Sequence, residues 1–471
     1  MPQKLLTERE SPDITDKQKI WRTILKSLLI LLGKTIIKIM QLCKRNAGNF
    51  PGTVLLKLTK RRCCSLFTVD CPIIAVTGTN GKTSVTNCIA QLFEQSGKKI
   101  IINKEGNNLD TGICSLLLRH CDLSGKVNAD ALILETDESY VPVVYSQLKL
   151  ETLVVLNFFR DQLDRNGEME TLIRKVEGFC KNFEGNLILN GDDPNTARLG
   201  RANPENKNVK YFHAEPYAFA TKEIYEAAEG RFCPFCKEHL EYEYYQYSHI
   251  GKFLCKGCGY GGHEPYITAE KIDLEKPVFT ADGREYSPKL NSIYNVYNMT
   301  AVAAAAKLYN IESDVLSKVI SEYTVNNGRM ESFMLKDRKT VLNLAKNPVG
   351  ANMTIRVMNE MHGEKELLFV LNDNVADGLD VSWIWDINFS IFERVTRVVT
   401  SGTRAYDIAV RIKCSGYDAE KIVVRPDLDE AVEELAASSG KKFVIANYTA
   451  VQPTRAALKR YIEKNGGEHN E

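Results

Sequence analysis

Ile73-Ile74-Ala75-Val76-Thr77-Gly78-Thr79-Asn80-Gly81-Lys82-Thr83-Ser84 carries the chain from an apolar run into a glycine turn that ends in Gly-Lys-Thr. The run reads as a buried strand, and the turn reads as the start of a helix. Backbone N–H groups of such a turn, from Gly78, Thr79, Asn80 and Gly81, can face phosphate oxygens at the helix N-terminus. Lys82 then reaches the outer phosphates and the hydroxyl of Thr83 sits on Mg²⁺, with Ser84 following on the same helix. Val76 occupies the position of the first glycine in the general G-x-x-x-x-G-K-[ST] pattern, leaving the shorter and more selective Gly-Thr-x-Gly-Lys-Thr. A nucleoside triphosphate site is the expectation.

Working outward, the pattern after this turn alternates. Helical periodicity over 85–96 precedes a strand over 98–102; further strands are expected at 129–135, 152–157 and 186–190, the last ending in Gly191-Asp192-Asp193-Pro194. Such alternation predicts an α/β fold with a mainly parallel sheet, ligands gathering at the carboxyl ends of its strands. From Glu331 the pattern restarts, with strands expected at 341–344, 366–371, 397–400, 421–424 and 442–446. The expected organisation is a basic segment over 1–50, a nucleotide-binding domain over 51–330 and a separate α/β domain over 331–471.

The chain has 471 residues and a formal charge of +1, which argues against a broad electrostatic grip on nucleic acid. Its cysteines number 13, an odd count, and no secretory signal with a small-residue cleavage site precedes the first domain; a reducing, cytosolic setting is expected. Residues 20–40 are strongly apolar, yet Arg22, Lys26, Lys34 and Lys38 interrupt them too often for a bilayer-spanning helix. A basic amphipathic helix fits, with Ile24, Leu28, Leu31, Leu32, Thr35 and Ile39 on or beside the face opposite the cations. It can lie on an anionic membrane surface or pack on the protein with its lysines in water, and the sequence leaves both open.

Four further constellations follow. Glu135 ends the strand Ala131-Leu132-Ile133-Leu134 and is followed by Asp137 and Glu138, placing oxygen ligands where phosphates would sit. Mg²⁺ needs only one or two carboxylates beside phosphate oxygens, so Thr83 and Glu135 suffice, while Asp137 and Glu138 can equally form a solvated turn. Cys233, Cys236, Cys255 and Cys258 form two C-x2-C pairs separated by eighteen residues, the spacing of a closed four-thiolate structural Zn²⁺ site. A ribbon over about 229–265, inserted in the nucleotide domain, is expected; His249 and His263 flank it and are not counted as ligands. Finally, Asn157 to Arg165 crowds polar groups at a strand end, and Tyr294-Asn295-Val296-Tyr297-Asn298 leads into an alanine-rich helix.

Gly-Thr-Asn-Gly-Lys-Thr, Glu135, Asp161-Gln162-Leu163-Asp164, Asn190-Gly191-Asp192-Asp193-Pro194, Tyr-Asn-x-Tyr-Asn and Gly328-Arg329-Met330-Glu331 together resemble, in order and spacing, the Mur ligase family. The cysteine ribbon, Lys346-Asn347-Pro348-Val349-Gly350, the stretch Ala376 to Asp386 and Ser401 to Asp407 resemble its amidating branch. The resemblance implies ATP, Mg²⁺ and structural Zn²⁺ as cofactors. It implies amidation of the D-glutamate α-carboxylate of the lipid II stem peptide through an acyl phosphate, with ammonia from a GatD-like glutamine amidotransferase in a heterodimer. It further implies that Asn295 or Asn298 contacts the nucleotide and that Arg329 meets the phosphates after domain closure. Glu135, Asp377 and Asp380 become the catalytic candidates, the two aspartates serving either the reacting carboxylate and ammonia or the partner's active site. Ordinary members carry histidine where this chain has Gln162, and in place of their N-terminal lipid-nucleotide domain the short basic helix is expected here. No cysteine reads as a glutaminase nucleophile beside a histidine. An amino-acid-adding ligase of the Mur or folylpolyglutamate type and a non-catalytic ATP-binding scaffold are the alternatives.

Overall fold

The computed structural model describes residues 14–45, 47–103, 107–160, 169–223, 229–289, 292–324 and 331–465. Two helices, α1 (Ile14–Leu42) and α2 (Phe50–Leu58), precede β1 (Ile73–Thr77), the glycine turn and α3 (Lys82–Gln95). There follow β2 (Ile100–Ile102), α4 (Asp110–His120), β3 (Ala131–Glu135), β4 (Thr152–Val155), β5 (Asn186–Asn190) and β6 (Val209–Ala214). The hairpin β7 (Glu241–Tyr247) and β8 (Ile250–Leu254) leads to β9 (Pro265–Asp273), β10 (Val278–Ala281), β11 (Arg284–Tyr286) and α5 (Ile293–Leu308).

A nine-stranded sheet in the order β11-β10-β9-β6-β5-β4-β1-β3-β2 is parallel from β9 to β2 and antiparallel at the β9-β10-β11 edge. Every residue of β1 is buried, as an apolar strand between two parallel neighbours should be. Alternate side chains divide the core into two layers. Ile74, Val76 and Ile133 pack with α3 and α5 on one face, while Ile73, Ala75, Leu132 and Leu134 pack with α2 and α4 on the other. The alanines of α5, Ala301 and Ala303–Ala306, are buried; their small side chains let a helix that is apolar on nearly all sides lie close to the sheet.

Residues 331–464 build a second sheet from β12 (Glu331–Leu335), β13 (Arg338–Leu344), β14 (Lys365–Val370), β15 (Val395–Ser401), β16 (Ile422–Val424) and β17 (Lys441–Ala446). Its order is β12-β13-β17-β14-β15-β16, parallel except for the β12-β13 hairpin. Helices α6 (Pro348–Glu360), α7 (Ala405–Cys414), α8 (Leu428–Ala436) and α9 (Tyr448–Lys464) cover the two faces.

Several features depart from the expected picture, since β6, the β7-β8 hairpin and β12 are not among the expected strands either. The edge strands β9, β10 and β11 extend the first sheet although their sequence alternates too weakly to be read as core. Helix α1 packs on α2 and α4 through Ile30, Gly33 and Ile37, with Gly33 so close to Leu118 that a Cβ there would lie 2.8 Å from it. The opposite face, Ile24, Leu28, Leu31, Leu32, Thr35 and Ile39, is exposed. The helix therefore packs on the protein by a narrow stripe, with Lys38 exposed and Lys26 and Lys34 half-buried, and turns its broad apolar face outward.

Candidate active site

The strand order reverses at β1, whose neighbours β3 and β4 are reached by connections running to opposite sides, and this is where an open α/β sheet leaves a crevice. Gly78 (φ +129°) and Gly81 (φ +91°) take conformations that disfavour a side chain, turning the chain so that α3 starts at Lys82. The turn is braced from β4: Asn80 N–H donates to Asn157 Oδ1 (2.8 Å) and Asn157 Nδ2 returns a bond to Asn80 O (3.0 Å). Thr79 Oγ1 accepts from Phe159 N–H at 2.9 Å.

Around the mouth, the Thr83 hydroxyl donates to Glu135 Oε2 at 2.8 Å, and Asn108 Nδ2 donates to Glu135 Oε1 at 3.0 Å. Asn103 fixes the backbone of Glu135 from both sides, accepting from its N–H (2.8 Å) and donating to its C=O (2.7 Å). Glu135 is thus a buried carboxylate next to a hydroxyl, an oxygen-rich donor set suited to Mg²⁺. Lys82 Nζ pairs with buried Glu138 (3.2 Å) and also donates to the Gly78 carbonyl. Asp137 accepts from Ser139 N–H at 3.0 Å and caps the short helical turn over 138–140.

The Tyr-Asn-x-Tyr-Asn motif sits on the first turns of α5 and divides its labour. Tyr297 donates to Asp192 Oδ2 (2.7 Å), which ties α5 to the turn after β5; the same aspartate accepts from Ala214 N–H (2.9 Å) and contacts His213 Nδ1 (2.8 Å). Asn298 lies directly against Gly81, and Asn295 donates to Ser292 Oγ at 2.8 Å. Tyr294, Asn295 and Asn298 line one cleft with Asn80, Gly81 and Ser84. The far wall comes from the second domain: Asn343, Lys346 and Asn347, the last capping α6 by accepting from Gly350 N–H at 2.8 Å. Arg160 ties the walls, pairing with Glu229 at 2.8 Å and Asp386 at 3.3 Å.

The four ribbon cysteines bring their sulfurs within 4.8 Å of one another, a cluster compatible with zinc. Both knuckles share one backbone pattern. Cys233 N–H donates to Glu238 O (2.8 Å) while Cys233 O accepts from Lys237 N–H (3.0 Å); Cys255 does the same with Tyr260 (2.7 Å) and Gly259 (2.8 Å). His249 lies 3.3 Å from Asp193 and His263 stacks on Tyr211, so neither joins the thiols. The ribbon rests on the turn after β5, where Gly251 N–H donates to Asp192 O (2.9 Å) and Tyr260 donates to Pro194 O.

The expected residues are not all gathered in one place. Lys82, Thr83, Glu135, Asn295 and Asn298 meet around the glycine turn. Asp377 and Asp380 do not line that cleft: buried Asp377 accepts from Thr449 N–H (2.7 Å) at the start of α9, and exposed Asp380 caps Ser382 (2.8 Å). Arg329 and Asp161 to Asp164, Gln162 among them, lie outside the described residues. Sequence reasoning missed Asn103, Asn108 and Lys346 as contributors. Asn108 belongs to a polar run of sequence soon after β2, a signal that could have flagged it.

Comparison with known proteins gives the same frame. Residues 344–451 match the MurT ligase C-terminal model and 76–256 the Mur ligase middle domain model. The chain is 31% identical over 421 residues to the lipid II isoglutaminyl synthase subunit MurT of Streptococcus pneumoniae, covering 87% of this chain and 92% of that one. To the same subunit of Staphylococcus aureus it is 29% identical over 442 residues, 93% and 98% of the two chains. Among solved structures, a pseudomurein peptide ligase type C from Methanothermus fervidus superposes with a TM-score of 0.66 at 20% identity, covering 84% of this chain and 80% of that one. MurF from Thermotoga maritima in complex with ADP gives 0.58 at 15% identity, with 88% and 85% covered.

Proposed function

This chain belongs to the MurT family of Mur ligases, and on that premise we propose that it is the ATP-dependent subunit of a lipid II isoglutaminyl synthase. The observation that carries the chemistry is the 2.8 Å contact between Thr83 and Glu135 beneath a glycine turn that faces a second domain across one cleft. A carboxylate is a poor electrophile. Transfer of the γ-phosphoryl group of ATP to one oxygen of the D-glutamate α-carboxylate makes an acyl phosphate and releases ADP. Ammonia then attacks the acyl carbon, phosphate leaves with the C–O bond electrons, and a proton is lost to give the amide.

Lys82 exchanges Glu138 for phosphate oxygens when nucleotide binds, and the backbone N–H groups of the turn hold the remaining charge. Thr83 and Glu135 are the pair that would hold Mg²⁺, and the ion would supply positive charge to offset that of the phosphoryl group. Asn295 and Asn298 orient the nucleotide from α5, with Lys346 opposite them; Arg329 reaches the phosphates on closure. Asp377 and Asp380 serve the second domain or the bound partner. Cys233, Cys236, Cys255 and Cys258 would hold a structural zinc ion that closes the ribbon. Ammonia comes from a GatD-like glutaminase subunit, and the lipid acceptor sets the reaction at the cytoplasmic face of the membrane.

Mass spectrometry of lipid II incubated with ATP, Mg²⁺ and ammonium tests the reading. Replacement of one hydroxyl by an amine is expected, with glutamine inactive as donor until the partner is added. Addition of a whole amino acid would instead identify an amino-acid ligase. Lys82→Ala should abolish turnover while leaving partner assembly intact; unchanged cellular function in that variant would identify a scaffold.

A further inference from the structure

The part of the chain that forms α1 and α2 carries a charge segregation that the nucleotide site does not use. From Lys17 to Val69 there are 12 lysines and arginines and no acidic residue, while the rest of the chain sets 49 basic against all 60 acidic residues. On this background α1 turns outward a face made of Ile24, Leu25, Leu28, Leu31, Leu32 and Ile39. Leu25 and Leu28 are 58% and 57% exposed, against 0% for Ile30 on the docked stripe. Lys38 borders this face, and Lys44, Arg45, Lys57, Lys60 and Arg62 are exposed around the turn into α2 and just past its end. Phe50 and Leu58, also exposed, continue the apolar character onto α2.

We propose that the outward face of α1, with the cations around α2, is a docking surface for an anionic lipid bilayer. Contiguous exposed aliphatic side chains of this extent mark an interaction site. Charge selects the occupant. Protein interfaces are depleted in lysine, whereas an interfacial helix lies with its aliphatic face among acyl chains and its lysines at anionic headgroups. No helix among the described residues is long and apolar enough to cross a membrane, so α1 lies along the surface. The surface serves this chain whether or not its acceptor is a lipid.

Sedimentation of the full chain with vesicles tests the proposal without acceptor, ATP or partner, so its failure leaves the amidation reading untouched. Vesicles of phosphatidylcholine mixed with phosphatidylglycerol should carry the protein down, vesicles of phosphatidylcholine alone roughly tenfold less, and high salt should release it. The double variant Leu28→Glu and Leu32→Glu, at exposed positions that leave the docked stripe of α1 untouched, should lose binding with an unchanged melting temperature. The charge variant Lys38→Glu with Lys44→Glu should weaken binding to anionic vesicles only. Wild-type protein left in the supernatant overturns the proposal. So does undiminished binding by the double leucine variant, or a vesicle-independent dimer that the leucine changes dissolve.

Discussion

A Cβ atom added at Gly81 would sit 2.2 Å from Asn298 Oδ1, so the glycine turn and the first turns of α5 are in direct contact at the mouth of the cleft. Gly81 also holds φ +91°, which a side chain disfavours. Gly81→Ala must therefore move either the turn or Asn298, and both line the cleft. Titration calorimetry should find ATP affinity reduced by on the order of tenfold or more, with the circular dichroism spectrum unchanged. Wild-type affinity would show that Asn298 yields freely and that the contact has no bearing on nucleotide.

The two candidate aspartates of the second domain differ in environment, and their substitutions should differ accordingly. Removing the buried Asp377 carboxylate strands the half-buried Thr449 N–H that it now accepts from at 2.7 Å. Asp377→Ala should cost about 1–3 kcal/mol of stability in urea unfolding. Asp380→Ala, which removes only an exposed cap on Ser382, should cost under about 1 kcal/mol. Equal losses would refute this difference in burial. Asp377→Asn keeps an oxygen for Thr449 and should stay near wild-type stability, isolating any effect of the charge on turnover.

Much of the architecture could be read in advance because parallel strands buried on both faces are written as unbroken apolar runs. The expected 186–190 strand is β5 to the residue, and the five strands expected after Glu331 all form. The edge strands β9 to β11 escaped because a sheet margin buries only part of each strand and the apolar signal thins: β9 reads exposed at Pro265, Glu270 and Lys271. At the site, Lys82, Thr83 and Glu135 were legible from a local motif and a strand end. Asn108 and Asn103 were not, because their value comes from a register that sets β2 beside β3 and brings two loops together at Glu135. Which way the apolar face of α1 turns was open in the sequence for a different reason: helical periodicity defines two faces but does not say which one meets the protein.

Metal content and ribbon integrity should be coupled to the nucleotide cleft through one aspartate. Asp192 takes a ribbon bond on its backbone carbonyl, from Gly251 N–H at 2.9 Å, and holds Tyr297 of α5 at 2.7 Å through its carboxylate. Elemental analysis should find one zinc per chain. Cys255→Ser should lose that zinc, lower the melting temperature by several degrees and weaken ATP binding although no cysteine lines the cleft. A zinc-free variant that binds ATP with wild-type affinity would uncouple the ribbon from α5.

Docking of the second domain should depend on pH through Glu360. This residue ends α6 and receives a hydrogen bond from Tyr217 of the first domain at 3.3 Å, one turn from Arg356, which donates to Gln246 O at 3.2 Å. Burial pushes the Glu360 carboxyl up to about 7 from an ordinary 4.5, outweighing the opposing pull of Tyr217 and Arg356. Raised in the docked state, the group favours docking fully below pH 4.5, loses that contribution as pH rises through about 7, and adds nothing to the slope above. The difference across this window is at most about 3 kcal/mol. Small-angle scattering should show wild-type protein more compact at the acid end of the window than at its alkaline end. Glu360→Gln, which stays neutral while keeping an acceptor for Tyr217, should hold the compact form throughout. Wild type and variant tracing the same curve would mean that Glu360 ionises without cost to docking, which the contacts of Arg160 and Arg356 would then hold.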